Sequence, residues 1–430
     1  MPSRPSAPGL PVVVTGMGVV SPLGHDLASF DAALFGGRSA VRAMRLDLPG
    51  IELPGVAVAT AAFDASAVAA PSRVPLDRGT AMAVQAARDA AASAGLDAAT
   101  VDRERLGIFW GSGMAGAATF EATCRTVYAE RRRMRPTSVV TTMPNAPAAE
   151  LALLFGARGA ALAYACACAS SAVAIGEAMR AIRAGWIDVA IAGGSESMLT
   201  PGVLASWQAM RVLAPLSSAV ANGEDDGVAA LCRPFAADRV GFALGEAGAA
   251  FVLESGAHAR SRGARTRALL TGYATNCDGV HITNPDPIGQ ARAMRAAIAD
   301  AGLEPSNIGY VNAHGTATLN GDAAEATSIA QVFGDGAVPV SSTKAIHGHL
   351  LGAGGAVELL ALLRALDARR LPPSAHTTDV DPAFAIDLVR GAARESSRLA
   401  HAMSNAFAFG GTNAVLVASR APDDDDAAMP

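Results

Sequence analysis

The chain has 430 residues, 51% of them apolar, and a formal net charge of −5. That apolar content suffices to bury a large core in two fused domains or one layered unit, and it excludes a disordered chain. The mild acidity asks for no nucleic-acid partner, and the long uncharged run 159–176 is built of small residues suited to packing inside a protein rather than to lipid, so no membrane is expected.

Residues 11–16 read as a β-branched strand ending in a glycine turn, and Ser21, Pro22, Leu23 and Gly24 complete the break. Pro22 stands where a phosphate-binding helix would begin and no Gly-x-Gly-x-x-Gly follows, which argues against a dinucleotide fold. A helix is expected over 80–94, stopped by Gly95, and a strand over 107–113. Arg131, Arg132, Arg133 and Arg135 form a basic run that reads as a solvated face and also suits an acidic partner. Further on, Val173, Ile175, Ala178, Met179 and Ile182 keep a helical period until Gly185. Residues 214–231 are rich in turn formers and acids and read as a surface loop.

The second half repeats the first. Residues 268–272 repeat the opening strand, 294–301 repeat the helix with its closing Ala-Gly-Leu, and 308–315 repeat the following strand. This predicts a duplicated α/β domain in five layers, α/β/α/β/α, with the helices after Cys168 and after Gly355 in the middle layer. Val357, Leu359, Leu360, Leu362, Leu363 and Leu366 surround the second of these helices, as burial on both sides demands. The halves are divided as 1–260 and 261–420, and 421–430 form an acidic tail.

Cys124, Cys166, Cys168, Cys232 and Cys277 show no disulfide framework, and the N-terminus lacks the apolar core of a signal peptide, so a cytoplasmic location is expected. Cys168 falls at the first turn of its helix, where unpaired backbone N–H groups and the helix dipole favour a thiolate. His314, His347 and His349 lie on two loops far downstream. A cysteine served by two histidines from separate loops is a constellation for acyl transfer.

These motifs, taken together, resemble a known family. The Cys168 helix start, Asn312-Ala-His314-Gly-Thr316-Ala-Thr318 with Asp322 and Glu325, Lys344 leading to Gly348-His349, and 404–413 with Phe409-Gly-Gly are similar to the β-ketoacyl-[acyl-carrier-protein] synthases. The likeness is to the long-chain elongating type and to type II polyketide ketosynthase subunits, over roughly 10–418. It implies a thiolase-like fold, a homodimer, and decarboxylative Claisen condensation of an acyl thioester with malonyl-acyl-carrier protein, in fatty acid or specialised polyketide or polyene biosynthesis. The substrates ride on phosphopantetheine, so no separate cofactor is expected. A subunit paired with a chain-length-factor homologue is the alternative; a thiolase is disfavoured because its second thiol near the C-terminus is missing.

The resemblance also assigns residues. Cys168 takes the acyl chain, and His314 and His349 hold the oxygen of the thioester that loses carbon dioxide. Backbone N–H groups of Cys168 and Phe409 form the oxyanion hole, and Lys344 with Glu325 is a charged pair behind the histidines, supported by Asp322. Thr316 and Thr318 meet pantetheine; Phe242 and Phe409 are gates; Met114 and Trp207 line the acyl pocket. Arg132, Arg133 and Arg211 match carrier-protein contacts, and Asn312, Glu358, Ser404 and Asn405 a monovalent cation site. His347 is expected to pack or face solvent. Cys166, Val240 and the 214–231 loop depart from the family pattern and hint at a specialised substrate.

Overall fold

The opening strand does not turn at Gly16; it runs from Val12 to Val20 (β1) through two glycines. Helix α1 (Arg78–Ala94) lies so close that a Cβ on Gly16 would stand 2.1 Å from the Ala90 carbonyl oxygen, and one on Gly18 2.1 Å from that of Ala86. The glycines serve backbone contact between strand and helix, so reading the first as a turn signal was an error. At its C-terminus the helix stops as predicted, with Gly95 left-handed at φ 59° and its N–H on the Ala91 and Ala92 carbonyls.

The computed structural model describes residues 11–45, 55–97, 99–216 and 227–421. The centre of the expected surface loop, 217–226, and the tail beyond Ala421 lie outside the described residues. Four further strands of the main sheet lie in the first half: β2 (Leu106–Gly111), β3 (Ala161–Tyr164), β4 (Val189–Glu196) and β5 (Ala247–Ser255). In the second half they are β6 (Ala268–Cys277), β7 (Val311–Asn312), β8 (Pro339–Ser341), β9 (Asp387–Leu388), β10 (His401–Phe407) and β11 (Thr412–Arg420).

The pairing displays the duplication. In the first half β1 runs antiparallel to β5 and β5 to β4, while β4, β2 and β3 are parallel. In the second, β6 runs antiparallel to β11 and β11 to β10, while β10, β7 and β8 are parallel. The equivalent strands β1 and β6 pair antiparallel with each other, Val12–Val14 against Ala268–Leu270, which places the twofold relation between the halves at that seam. The result is one eleven-stranded sheet of order β9-β8-β7-β10-β11-β6-β1-β5-β4-β2-β3.

Helices fill the remaining layers. Helix α1 with α2 (Ala146–Phe155) covers the outside of the first half, and α4 (Pro287–Asp300) with α5 (Leu319–Phe333) covers the second. Between the halves lie α3 (Ser170–Arg183) and α6 (Gly354–Ala368), each touching strands of both. Residues 354–363 of α6 are buried without a break, because its sequence offers neighbours apolar side chains on every face. No described helix is long and apolar enough to cross a membrane.

The two central helices cross where their side chains are smallest. A Cβ on Gly355 would meet the Ala172 Cβ and backbone nitrogen at 2.8 Å, and Ser171 Oγ accepts the Ala356 N–H at 2.9 Å. Gly355→Val forces the helices apart and is expected to destabilise the fold by roughly 1–3 kcal/mol, the usual effect of overpacking. Urea unfolding of the variant tests this; an unshifted midpoint would show that the crossing tolerates separation.

Candidate active site

Both central helices begin with the same device. A one-turn 3₁₀ segment, Ala167–Ala169, leads into α3, and another, Leu351–Ala353, leads into α6. Each opens on a non-glycine residue with positive φ, Ala167 at 47° and Leu351 at 49°. The turn at Ala167 is pinned by Ser170 Oγ, which accepts the Cys166 N–H at 2.9 Å and donates to the Ala167 carbonyl at 2.7 Å. Cys168 therefore stands just ahead of α3, its side chain turned toward the start of α6.

There it meets the histidines. His349 Nε2 lies 3.1 Å from Cys168 Sγ, and the His314 and His349 rings meet edge to face with centroids 5.4 Å apart. One ligand-type atom from each of Cys168, His314 and His349 lies within 4.8 Å of the others. Neighbours fix the tautomers. The Leu351 N–H donates to His349 Nδ1 at 3.4 Å, and Lys344 Nζ stands 3.3 Å from His314 Nδ1 and donates to the His314 carbonyl at 2.5 Å. With each Nδ1 facing a donor, each ring carries its proton on Nε2. Burial, and next the charge of Lys344, holds both imidazoles well below the usual histidine range, so they are neutral donors at neutral pH.

The thiol departs from expectation. Burial pushes Cys168 up to about 12, outweighing the lowering by Lys344 and by the N–H groups of Phe409 and of Cys168 itself. The resting group is a thiol, because desolvation of the sulfur outweighs the helix terminus. The same two N–H groups, expected as the oxyanion hole, face the sulfur.

The expected Lys344–Glu325 pair is not formed. Lys344 pairs instead with Glu358 of α6, both of them buried. Glu325 accepts the backbone N–H groups of His314 at 2.8 Å and Gly315 at 2.6 Å, and the Asn405 amide at 3.0 Å, so it shapes the histidine loop directly. Geometry decides this: α5 brings Glu325 beneath the loop backbone, while α6 delivers Glu358 to the ammonium. Asp322 supports the same loop from the Ala317 N–H at 3.0 Å, and burial pushes it up to about 7.

A cavity of about 690 Å³ opens over Cys168, His314 and His349. Thr316, Thr318, Trp207, Phe242 and Phe409 line it as expected, and Arg211, expected as a carrier-protein contact, lines it as well. Trp207 packs edge-on to Phe242 at 5.7 Å and stacks on Phe409 at 6.1 Å, and Phe242 meets the His349 ring at 5.1 Å. Thr318 also accepts the Gly321 N–H at 3.2 Å as the N-cap of α5. Met114 does not line this cavity: its side chain is 49% exposed, and its backbone N–H donates to Glu196 at 3.2 Å. Arg132 and Arg133 are exposed, and Arg132 pairs with Glu130 at 3.3 Å. His347 is packed, bonded to Thr343 Oγ1 at 2.9 Å and to the Gly348 carbonyl at 2.7 Å.

The residues matching a cation site are adjacent. Asn312 and Ser404 are partners across β7 and β10, and the Asn312 amide donates to the Glu358 carbonyl at 3.1 Å. Asn312 Oδ1 and Asn405 Oδ1 are buried without a hydrogen-bond partner, so an oxygen-seeking cation fits this cluster.

Sequence reasoning missed Glu196. Its buried carboxylate accepts the N–H groups of Gly113 at 2.5 Å, Met114 at 3.2 Å and Gly352 at 3.2 Å, tying the loop after β2 to the turn before α6. Asp278 and His281 on the cavity wall were also missed, since they belong to a loop without a motif signal.

Comparison with known proteins extends the geometry. Residues 10–259 match the family description "Beta-ketoacyl synthase, N-terminal domain" and 267–378 its C-terminal domain. The chain is 39% identical to Nodulation protein E of Rhizobium leguminosarum bv. trifolii over 94% of this chain and 98% of that protein. It is 36% identical to 3-oxoacyl-[acyl-carrier-protein] synthase 2 of Staphylococcus aureus (strain COL), over 94% and 97%. Among solved structures, a beta-ketoacyl synthase from Burkholderia phymatum STM815 superposes with TM-score 0.84 at 33% identity, covering 96% of this chain and all (100%) of that one. A type II PKS acyl-carrier protein in complex with its ketosynthase, AntDE:AntF, gives 0.86 at 27%, also over 96% and 100%. The ishigamide ketosynthase/chain length factor gives 0.85 at 28%, with the same coverage of 96% and 100%. Similarity of this extent across both halves of a duplicated thiolase-like fold makes the chain a member of the beta-ketoacyl synthase family, acyltransferases that form carbon–carbon bonds.

Proposed function

We propose that the chain condenses an acyl group held on Cys168 with malonyl-acyl-carrier protein, releasing carbon dioxide and 3-oxoacyl-acyl-carrier protein. The observation that carries this reading is the 3.1 Å contact between His349 Nε2 and Cys168 Sγ beneath a cavity, with both imidazoles set as donors. In the first half-reaction Sγ attacks the thioester carbonyl and the acyl–pantetheine C–S bond breaks. The thiol proton ends on the departing pantetheine sulfur, and His349 Nε2–H steadies the sulfur as it gives that proton up. In the second, malonyl loses carbon dioxide, and the enolate oxygen is held by the Nε2–H groups of His314 and His349. The enolate carbon attacks acyl-Cys168, the tetrahedral oxyanion rests on the N–H groups of Cys168 and Phe409, and collapse expels the sulfur. A proton from solvent restores the thiol.

Lys344 acts behind the rings: its ammonium keeps His314 Nδ1 a lone-pair acceptor and so keeps its Nε2 a donor. A monovalent cation would be held by Asn312 and Asn405 with Glu358 and Ser404, where it would supply fixed positive charge beside the Lys344–Glu358 pair. Thr316 and Thr318 are read as the pantetheine contacts, and Trp207, Phe242 and Phe409 as the aromatic wall beside the acyl chain.

The acidic partner read for Arg132, Arg133 and Arg211 is acyl-carrier protein, a reading supported by the complex formed by AntDE:AntF. We read the working assembly as a homodimer formed through β3, which pairs on one side only and exposes Ala161, Leu162 and Ala163. Likeness to a ketosynthase/chain length factor pair keeps a heterodimer as the second reading. Cytoplasmic location agrees with five cysteines that are all free.

Incubation with an acyl-carrier protein bearing a saturated acyl chain should add one acyl mass to the peptide containing Cys168; label on Cys166 would overturn the assignment. Cys168→Ala should lose transfer yet still decarboxylate malonyl-carrier, whereas His314→Ala should lower decarboxylation by about 10²–10³-fold. Undiminished carbon dioxide release from the histidine variant would remove that residue from the oxyanion role. Because Cys168 is raised to about 12, iodoacetamide labelling of its peptide should speed up about tenfold per pH unit from 7 to 10; a plateau near pH 7 would mean a resting thiolate. The native mass of the purified chain, measured with its condensing activity, decides the assembly, and an inactive monomer would exclude the homodimer.

A further inference from the structure

At the far end of α6 from His349, a second cavity of about 340 Å³ opens between the start of β6, the last turns of α6 and the end of β11. Helix α6 spans Gly354–Ala368, so this cavity lies on the order of 20 Å from the histidine. Arg265, Arg267, Arg364 and Arg420 contribute to its wall, and Asp367 is the single carboxylate lining it among the described residues.

The cations differ in how they are used. Arg364 is committed to acids: Asp31 accepts its Nε at 3.0 Å and its Nη2 at 2.6 Å, and Asp367 its Nη1 at 2.7 Å. Arg267 is held by neutral oxygens, donating from Nε to the Thr15 carbonyl at 3.0 Å and from Nη2 to the Ser93 carbonyl at 2.9 Å. Those bonds fix the plane of the guanidinium without cancelling its charge. Burial first, then the charges of Arg265 and Arg364, push Arg267 below the usual arginine range, with Asp367 opposing. Arg265 is exposed and forms no ion pair among the described residues.

Like charges facing one concavity repel unless an anion sits between them, and a pre-set guanidinium fork matches the oxygens of phosphate. We propose that this cavity is a binding site for a phosphate dianion, either free or as the phosphoryl group of a small ester, with Arg265 and Arg267 as its principal ligands. The site is separate from the condensation chemistry and takes none of its residues.

The test is calorimetric titration of the full chain, in phosphate-free buffer of low ionic strength, with inorganic phosphate and separately with glycerol 3-phosphate. Saturable binding of at least one probe is expected, together with a raised unfolding temperature. Affinity should fall by about tenfold or more in Arg265→Gln and in Arg267→Gln. Arg265→Gln should leave Cys168 acylation unchanged and carries the test if loss of the Arg267 carbonyl contacts prevents folding. The ratio of the two affinities tells free phosphate from an ester. The proposal is overturned by an absence of saturable binding, or by unchanged affinity in Arg265→Gln. Binding seen only in a chain shortened to end at Ala421 also overturns it, since the carboxylates of 423–426 would then be the occupants.

Discussion

The close crossing of α3 and α6 is the constraint on which the site depends. Cys168 and His349 are 181 positions apart in sequence, yet each stands just ahead of one of these helices. Their 3.1 Å contact exists because Gly355 lets Ala172 approach to a distance at which a Cβ would collide. A wider crossing would leave thiol and imidazole unable to share one thioester. Burial of both helices between the sheet halves then makes the arrangement rigid, because the surrounding side chains leave no room for either to slide.

That burial has an electrostatic consequence. Removing water raises the thiol and lowers both histidines, so the resting site is neutral where the substrates arrive. Charge is concentrated one layer deeper, in the Lys344–Glu358 pair. Such a pair is weak evidence for stability, but removing one partner alone typically costs about 3–5 kcal/mol because a bare charge remains. Its value here lies in direction: Lys344 faces Nδ1 of His314 and so sends the ring's proton to the substrate side. Donors fixed before the reaction begins need no reorganisation as the enolate forms.

The halves of the duplicated fold have diverged in chemistry while keeping their geometry. Matching 3₁₀ turns with positive φ lead into both central helices, but the first presents a nucleophile and the second follows an electrophilic histidine. Glu196 links them, since its carboxylate bridges the N–H groups of Gly113 and Met114 in one half to that of Gly352 in the other.

Much of this was legible in the sequence. The repeated strand and helix patterns determined the duplication, the all-round apolar run of α6 determined a central layer, and the ordered Cys168, His314 and His349 motifs determined the chemistry, because periodicity and residue type are local properties. Only the tertiary structure decided that Gly16 continues a strand, that Lys344 pairs with Glu358 and not Glu325, that Met114 leaves the pocket wall, and that the thiol rests protonated. Each of these depends on what distant segments place within a few ångströms, and on how much water they exclude, neither of which is written at any one position of the chain.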